Sequence, residues 1–442
     1  MKSNYRKLGE YIREVNIRNT DLRLSTLLGV SVTKEFIPSI ANTVGTDFSK
    51  YKIVKRNQFT YIPDTSRRGD KIGVALLQDY DEALVSQAYT VFEVTDEDKL
   101  NPEYLMMWFR RPEFDRYARF KSEGSVREIF SWSEMCNIEL PVPDIEKQRK
   151  IVEQYNQINK AIQIKEAINN NLEQQLLTIF KSKFITFEYF GNKKPDNWNE
   201  GTFSQLIEKT KGGDWGKAEP TGNYKSEVLC IRGTDIPSIV NSGNSSIPIR
   251  YVLAKNLIDR SLFAGDLVVE ISGGSPIQST GRIALITPSL LEKYGIDIIC
   301  TNFCRALKPL EEYSRFVYYY WLYLYNNDLF FTYENSTIGL KNLDIEGFLN
   351  KEAIIIPDKT TAEEFSNLCQ IYEKSMYMNG LACEKLKDFQ KSLLPKLMLE
   401  NSDSSTAKLS FIITKIIYII LKLFKIIRCF MISCKFIFCP IS

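Results

Sequence analysis

Not one of the 442 residues is a histidine. That absence excludes Ser/His and Cys/His nucleophilic pairs, histidine-ligated metals and a histidine pH switch. Any catalysis would have to rest on carboxylates, lysine or cysteine. Cysteine is sparse, 9 in the whole chain, too few for a secreted disulfide scaffold of this length, and no signal-peptide pattern opens the sequence. Cys300 and Cys304 stand close together, but no second pair at zinc-ligand spacing accompanies them, so they read as small buried hydrophobes. Neither a metal nor a cofactor is expected, and the expected compartment is a reducing cytoplasm. No uninterrupted apolar run approaches the ~18 residues of a membrane-spanning helix.

Bulk charge of one sign is also missing. The net charge is +3. Five cations (Lys415, Lys422, Lys425, Arg428, Lys435) lie in residues 409–442, which hold no acid, so the rest of the chain carries +3 − 5 = −2. Such a body does not grip nucleic acid by its overall field. Contact with phosphates would come from local patches or from partners. Hydrophobic residues at 44% and charged residues at 25% are those of a folded globular protein. The length suggests two or three domains.

What is present is a repeat. Within 144–184 the apolar residues advance by alternating steps of four and three: Ile151, Tyr155, Ile158 and Ile162, then Leu172, Leu176 and Ile179. Lys165 and Asn169 hold the two middle positions. This is a heptad seam on a long helix. Adding 214 to Ile151, Tyr155, Ile158, Ile162, Leu172 and Ile179 lands on Phe365, Cys369, Tyr372, Met376, Leu386 and Leu393, with Lys165 falling on Asn379. Pro143, which ends the strand-like IELPVP, falls on Pro357, which ends EAIIIP. Each helix follows a region of strands, a loop and a shorter helix. In the first region 59–78 reads as strand, loop, strand, 84–94 as a strand and 101–120 as a helix. In the second, 265–287, 298–309 and 314–333 repeat that order.

The chain therefore divides into 1–143, 144–184, 185–357 and 358–400, followed by a tail, 401–442. The fold class is mixed α+β: two globular regions separated by two long helices that bury their seams on each other as an antiparallel coiled coil. Thirty to forty helical residues span about 45–60 Å, against about 34 Å for one turn of B-DNA. Such helices could act as a ruler between two short DNA sites.

The layout resembles the specificity subunits of type I restriction–modification systems, over residues 1 to about 400. IELPVPDIEKQRKIV is similar to the family's strand-Pro-x-Pro-helix junction, with Lys147-Gln148 where Glu-Gln is usual. LEQQLLTIFKSKF and KLKDFQKSLLPKLM resemble the family's helix ends. GGDWGK (212–217), CIRGTDI (230–236) and GDLVVEISGGSPIQSTGRIALIT look like one branch of its target-recognition domains, and FTYIPDTSRRGDKIG with VSQAYTVF like another. The second junction, IIIPDKTTAEEFSN, departs from the pattern. The resemblance implies a non-catalytic subunit that recognises a bipartite target in double-stranded DNA. It also implies a DNA methyltransferase bound along the helices and a restriction subunit in the full complex.

Motifs for independent chemistry are wanting. Asn101-Pro102-Glu103-Tyr104 lacks the second proline of a methyltransferase loop and reads as a helix start with proline at its first position. Gly216-Lys217 is followed by alanine and preceded by no phosphate loop. Pro63-Asp64 with Glu97-Asp98-Lys99 has the letters of a nuclease but sits in turn-forming sequence. The candidate DNA-binding residues lie in loops. Ser275, Gln278, Thr280 and Arg282 flank the Gly-rich 272–282, with Lys217 and Arg232 upstream, and Arg67, Arg68 and Lys71 occupy the matching loop of the first half. Glutamine pairs bidentately with adenine and arginine with guanine in the major groove, and Arg282 is the expected base reader. A solvated loop without a ligand remains the plain alternative. Arg110, Arg111, Arg116 and Arg119 form a basic cluster, suited to phosphates or to a solvated face. The aromatic stripe of 314–333 is expected in the core.

The tail, 409–442, is hydrophobic but interrupted by a cation every few residues. It reads as a non-native extension, with a membrane anchor as the other reading. No membrane partner is expected. Two alternatives to the specificity role stay open: a membrane-tethered coiled-coil interaction protein, and an inactive specificity allele.

Overall fold

The computed structural model describes residues 5–39, 45–65, 71–122, 128–240, 246–273, 278–337 and 340–399. Arg67, Arg68, Ser275 and the tail lie outside them. Two compact units emerge: residues 1–161 with 388–442, and residues 162–387.

In the first unit, four short strands form an antiparallel sheet in the order Ile12–Val15, Thr90–Val94, Phe59–Tyr61, Val74–Leu76. The inner faces bury Phe59, Tyr61 and Phe92, with the Phe59 and Phe92 rings stacked at 4.8 Å. Lys52–Lys55 pairs with Glu82–Val85. The single strand expected over 84–94 is thus two. Ser86 turns the chain, its carbonyl accepting from Tyr89 N and its hydroxyl from Ala88 N. The expected helix over 101–120 is also two, Pro102–Phe109 and Pro112–Phe120. Pro112 has no N–H to continue the first, and starts the second instead.

The second unit has an antiparallel sheet ordered Ile207–Gly212, Cys304–Pro309, Leu267–Glu270, Ile283–Leu285. Beside it, Tyr224–Ile231 pairs antiparallel with Ile249–Leu253 and parallel with Ile298–Cys300. The expected strand over 298–309 breaks at Thr301, whose carbonyl accepts from Cys304 N. Ser314–Asn326 is the expected aromatic helix, and it ends where Asp328 adopts φ 60°. Phe316, Tyr319 and Trp321 are buried against Phe180, Phe203 and Phe348, so the first half of the stripe is core, whereas Tyr323 and Tyr325 are half-buried and Phe331 is exposed.

Both long helices form, Ile145–Phe180 with 36 residues and Lys359–Leu399 with 41. Their starts correspond under the repeat. Asp144 caps the first, accepting from Lys147 N, and Asp358 caps the second, accepting from Thr361 N at the equivalent place. The strand before each helix corresponds too: Glu139–Pro141 pairs with Tyr5–Lys7, and Ala353–Ile356 with Asn199–Thr202. Gln148 is fully buried and fastens the first junction. Its amide donates to the Lys99 and Pro143 carbonyls, and its oxygen accepts from Asn101 N. The corresponding residue of the second helix is a buried alanine, Ala362, so the different junction motif reflects packing without that clamp.

Within the second unit the helices run antiparallel. Side-chain bonds join Lys183 to Glu364, Tyr372 to Gln175, Asn169 to the Met376 carbonyl and Lys165 to Asn379. As one number falls the other rises. Within the first unit Asn159 meets Gln390. Ile151, Tyr155, Ile158, Ile162, Leu172, Phe365, Leu386 and Leu393 are buried as the seam requires, while Tyr372 and Met376 are half-buried. Ile179 is a correction. It is only half-buried, because the stripe advances by four from Leu176 to Phe180 and on to Phe184, where a π-helical turn (Lys181–Ile185) ends the helix. Among the described residues no helix is long and apolar enough to cross a membrane.

Candidate nucleic-acid interface

The Gly-rich segment of the second unit is anchored more firmly than its sequence suggests. Arg282 leaves the strand end at Ile283 and folds back on Glu270, with Nε and Nη2 donating to both carboxylate oxygens at 2.7 and 2.6 Å. Glu270 is 4% exposed. The bidentate bond raises the already high pKa of the guanidinium. Arg282 is therefore committed to an internal partner, contrary to its expected freedom as a base reader. Thr280 is likewise turned inward: it is fully buried and donates from N and Oγ1 to Glu334. Gly281, at φ 96°, places its carbonyl on the Trp321 indole N–H. A Cβ there would stand 3.0 Å from the Phe330 ring. Gln278, by contrast, is exposed. It is the one candidate in 272–282, among the described residues, that points its side chain to solvent.

Arg232 is half-spent. It donates bidentately to Asp235 at 2.9 Å and also to the Ser246 carbonyl, and its side chain stays 38% exposed. Lys217 is exposed, its backbone bonded both ways to Tyr251 and its ammonium 5.6 Å from the Tyr224 ring. Gly216 before it requires glycine twice over. Its φ is +58°, and an added Cβ would lie 2.4 Å from the Tyr251 carbonyl oxygen.

This turn brings to Lys217 two residues that were not candidates in the sequence. Trp215 is 39% exposed, and the Arg250 guanidinium stacks on it at 4.1 Å while donating to its carbonyl. Trp215, Lys217 and Arg250 thus make a small basic and aromatic patch, a combination suited to phosphates and bases. The signal for Arg250 was absent from the local sequence, because its strand partner across Ile249–Leu253 sets its position. Among the described residues no hydrogen bond or ion pair joins this patch to Gln278.

In the first unit Lys71 is exposed at the end of the described part of its loop. The loop's other end is pinned. Thr65 is 2% exposed, donating to Ser122 and to the Glu128 carbonyl. Asp115 accepts from Ile72 N and pairs at 2.8 Å with Lys34, whose pKa burial lowers despite that partner. The arginine cluster disperses. Arg116 is exposed, Arg119 pairs with Glu128, Arg110 lies over the Tyr155 ring, and Arg111 is buried.

Residues 5–174 match the type I restriction modification DNA specificity domain. The chain is 24% identical over 321 residues to the type I restriction enzyme MjaIX specificity subunit of Methanocaldococcus jannaschii, covering 69% of this chain and 70% of that protein. Over these stretches the chain is similar to type I restriction enzyme specificity subunits. A shorter stretch, 140 residues at 27% identity, matches the HindI specificity subunit of Haemophilus influenzae, covering 31% of this chain and 30% of that one. A type I S subunit from M. genitalium aligns structurally over 90% of this chain and 96% of that chain, at 14% identity and a TM-score of 0.49. The match over residues 5–174 is to a domain described by its DNA specificity.

Proposed function

We propose that each unit reads one half of a split DNA target, and that the long helices carry a DNA methyltransferase and, in the full assembly, a restriction subunit. In this reading the chain itself performs no chemistry. One observation carries it: the mounting is duplicated while the loops are not. Aspartate caps, closing strands and helix starts recur at an offset of 214, whereas Gly-rich 272–282 and the loop ending at Lys71 differ in length and side chains. Corresponding mounts with unlike loops suit two different half-sites. In the second unit Gln278 is the proposed base reader, and Lys217 and Arg250 the proposed phosphate contacts. In the first, Arg67, Arg68 and Lys71 are the proposed contacts.

The test is a binding series over single-base variants of the mapped target, using the complex with its methyltransferase at fixed salt. Gln278→Ala should relax preference at positions in one half-site only, by about 1–3 kcal/mol. Lys217→Ala and Arg250→Ala should weaken all sequences alike and lower the salt slope by about one each. Equal loss in both half-sites from Gln278→Ala would overturn the assignment of one half-site to each unit.

A further inference from the structure

The first unit contains a cavity of about 490 Å³ that the DNA-reading loops do not line. Its size is that of small-molecule sites. Tyr5, Trp108, Phe114 and Tyr117 supply aromatic walls, and Arg111 and Asn137 the polar groups, with the Glu113 and Glu139 carboxylates beside them.

Arg111 is the unusual residue. Pro112 breaks the helix, leaving Arg111 extended at φ −76°, ψ 139° as the cap of the next one. Its guanidinium turns back over the Trp108 indole at 4.3 Å, and the residue is only 5% exposed. Two of its buried nitrogens, Nε and Nη1, have no hydrogen-bond acceptor among the described residues. Glu113 comes within 3.3 Å of Nε, but outside hydrogen-bonding geometry, and Glu113 is also shared with Arg116. The ion pair and the indole face leave these two buried nitrogens without hydrogen-bond acceptors, so an occupant that brings acceptors is expected.

The walls and rim restrict that occupant. Aromatic faces favour a flat ring system. Two carboxylates beside the opening disfavour a phosphate dianion. An exocyclic amino group would find acceptors in those carboxylates and in the Asn137 amide oxygen. A neutral, planar heterocycle with ring acceptors and an amino group is a nucleobase. We propose that this cavity binds a nucleobase, guanine best, because arginine donates well to O6 and N7. The base could be that of a free nucleoside or one rotated out of a duplex. Only the second source rests on the DNA-specificity reading, so the two can fail separately.

The experiment titrates the full chain with guanosine, adenosine, cytidine and thymidine, following the indole N–H signal of Trp108, identified with Trp108→Phe. Guanosine should shift that signal saturably, and Arg111→Met should weaken the affinity at least tenfold. Thymidine, which lacks the amino group, should bind more weakly than guanosine. Asn137→Ala, an exposed position, provides a second variant should Arg111→Met fail to fold, and it should narrow the gap between guanosine and thymidine. A parallel arm binds duplexes carrying 2-aminopurine and reads the change in fluorescence as the base leaves its stack for the aromatic pocket, which Arg111→Met should abolish. A response in the nucleoside arm alone supports the pocket with a free ligand, and a response in the duplex arm alone supports it with an extruded base. No response in either arm overturns the proposal, as does benzoate competing with guanosine on equal terms.

Discussion

The polar layer inside the helix pair invites the sharpest stability test. Lys165 is 7% exposed and donates at 3.1 Å to Asn379 Oδ1, while Asn379 Nδ2 donates at 2.9 Å to Asn169 Oδ1. Replacing Asn379 with leucine removes the ammonium's acceptor and the second bond together. A hydrogen bond to a charged group contributes about 1.5–3 kcal/mol and a neutral one about 1. Added apolar contact offsets part of that, so a loss of about 2–3 kcal/mol is expected near pH 7. The pH dependence gives the reasoning a second handle. Burial lowers the pKa of Lys165 in the folded chain. Between that lowered value and the free value near 10.4, the unfolded chain binds more protons, so the Lys165 contribution to stability rises with pH. Asn379→Leu depresses that pKa further, and its deficit should shrink as the pH is raised from 7 towards 10. Amide hydrogen exchange around residues 162–169, measured at several pH values and corrected for intrinsic rates, reports the local opening free energy directly. Wild-type protection in the variant at pH 7, or a deficit that does not change with pH, would refute the reasoning.

Other outcomes follow from the same structure. Arg282→Ala should cost about 3–5 kcal/mol, since it strands the buried Glu270 carboxylate, whereas Gln278→Ala should stay within about 0.5 kcal/mol of wild type; thermal melts compare them. Gly216→Ala should cost about 1–3 kcal/mol through its left-handed backbone and the Tyr251 carbonyl, and should weaken DNA binding without changing base preference, as titrations over variant sites would show. Inserting four residues between 160 and 170 adds about 6 Å of helix and should change the spacer between half-sites while leaving the preferred bases alone. Methylation-site mapping reads this, and an unchanged spacer in an assembled variant would end the ruler idea.

The sequence made the helix pair legible because a heptad is a local pattern that burial enforces over many turns. Lys165 and Asn169 showed themselves by interrupting it. Ile179 misled because the stripe shifts to steps of four near Phe180, a choice made by the aromatic cluster of Phe316, Tyr319 and Phe365 around that residue. Strand boundaries at Ser86 and Thr301 depended on which neighbour each half-strand pairs with. The candidate site was the least legible part. Arg282 and Thr280 have the composition of a reading loop, but their partners Glu270 and Glu334 are set by the fold, and nothing in the loop's letters announces them. Arg250 and Trp215 carry no spacing signal either, and only the bridge between Lys217 and Tyr251 brings them together.

Lys165 and Asn379 are repeat counterparts, 214 residues apart, and they also touch each other. Residues related in this way meet only at the centre of the duplication, and here the centre is not self-matching. A recombined gene carrying the second half twice would place an amide opposite an amide, a neutral layer that can bond to itself. One carrying the first half twice would place an ammonium opposite an ammonium in a position shielded from water. The first rearrangement would keep the layer hydrogen-bonded, whereas the second would set two buried charges of like sign against each other.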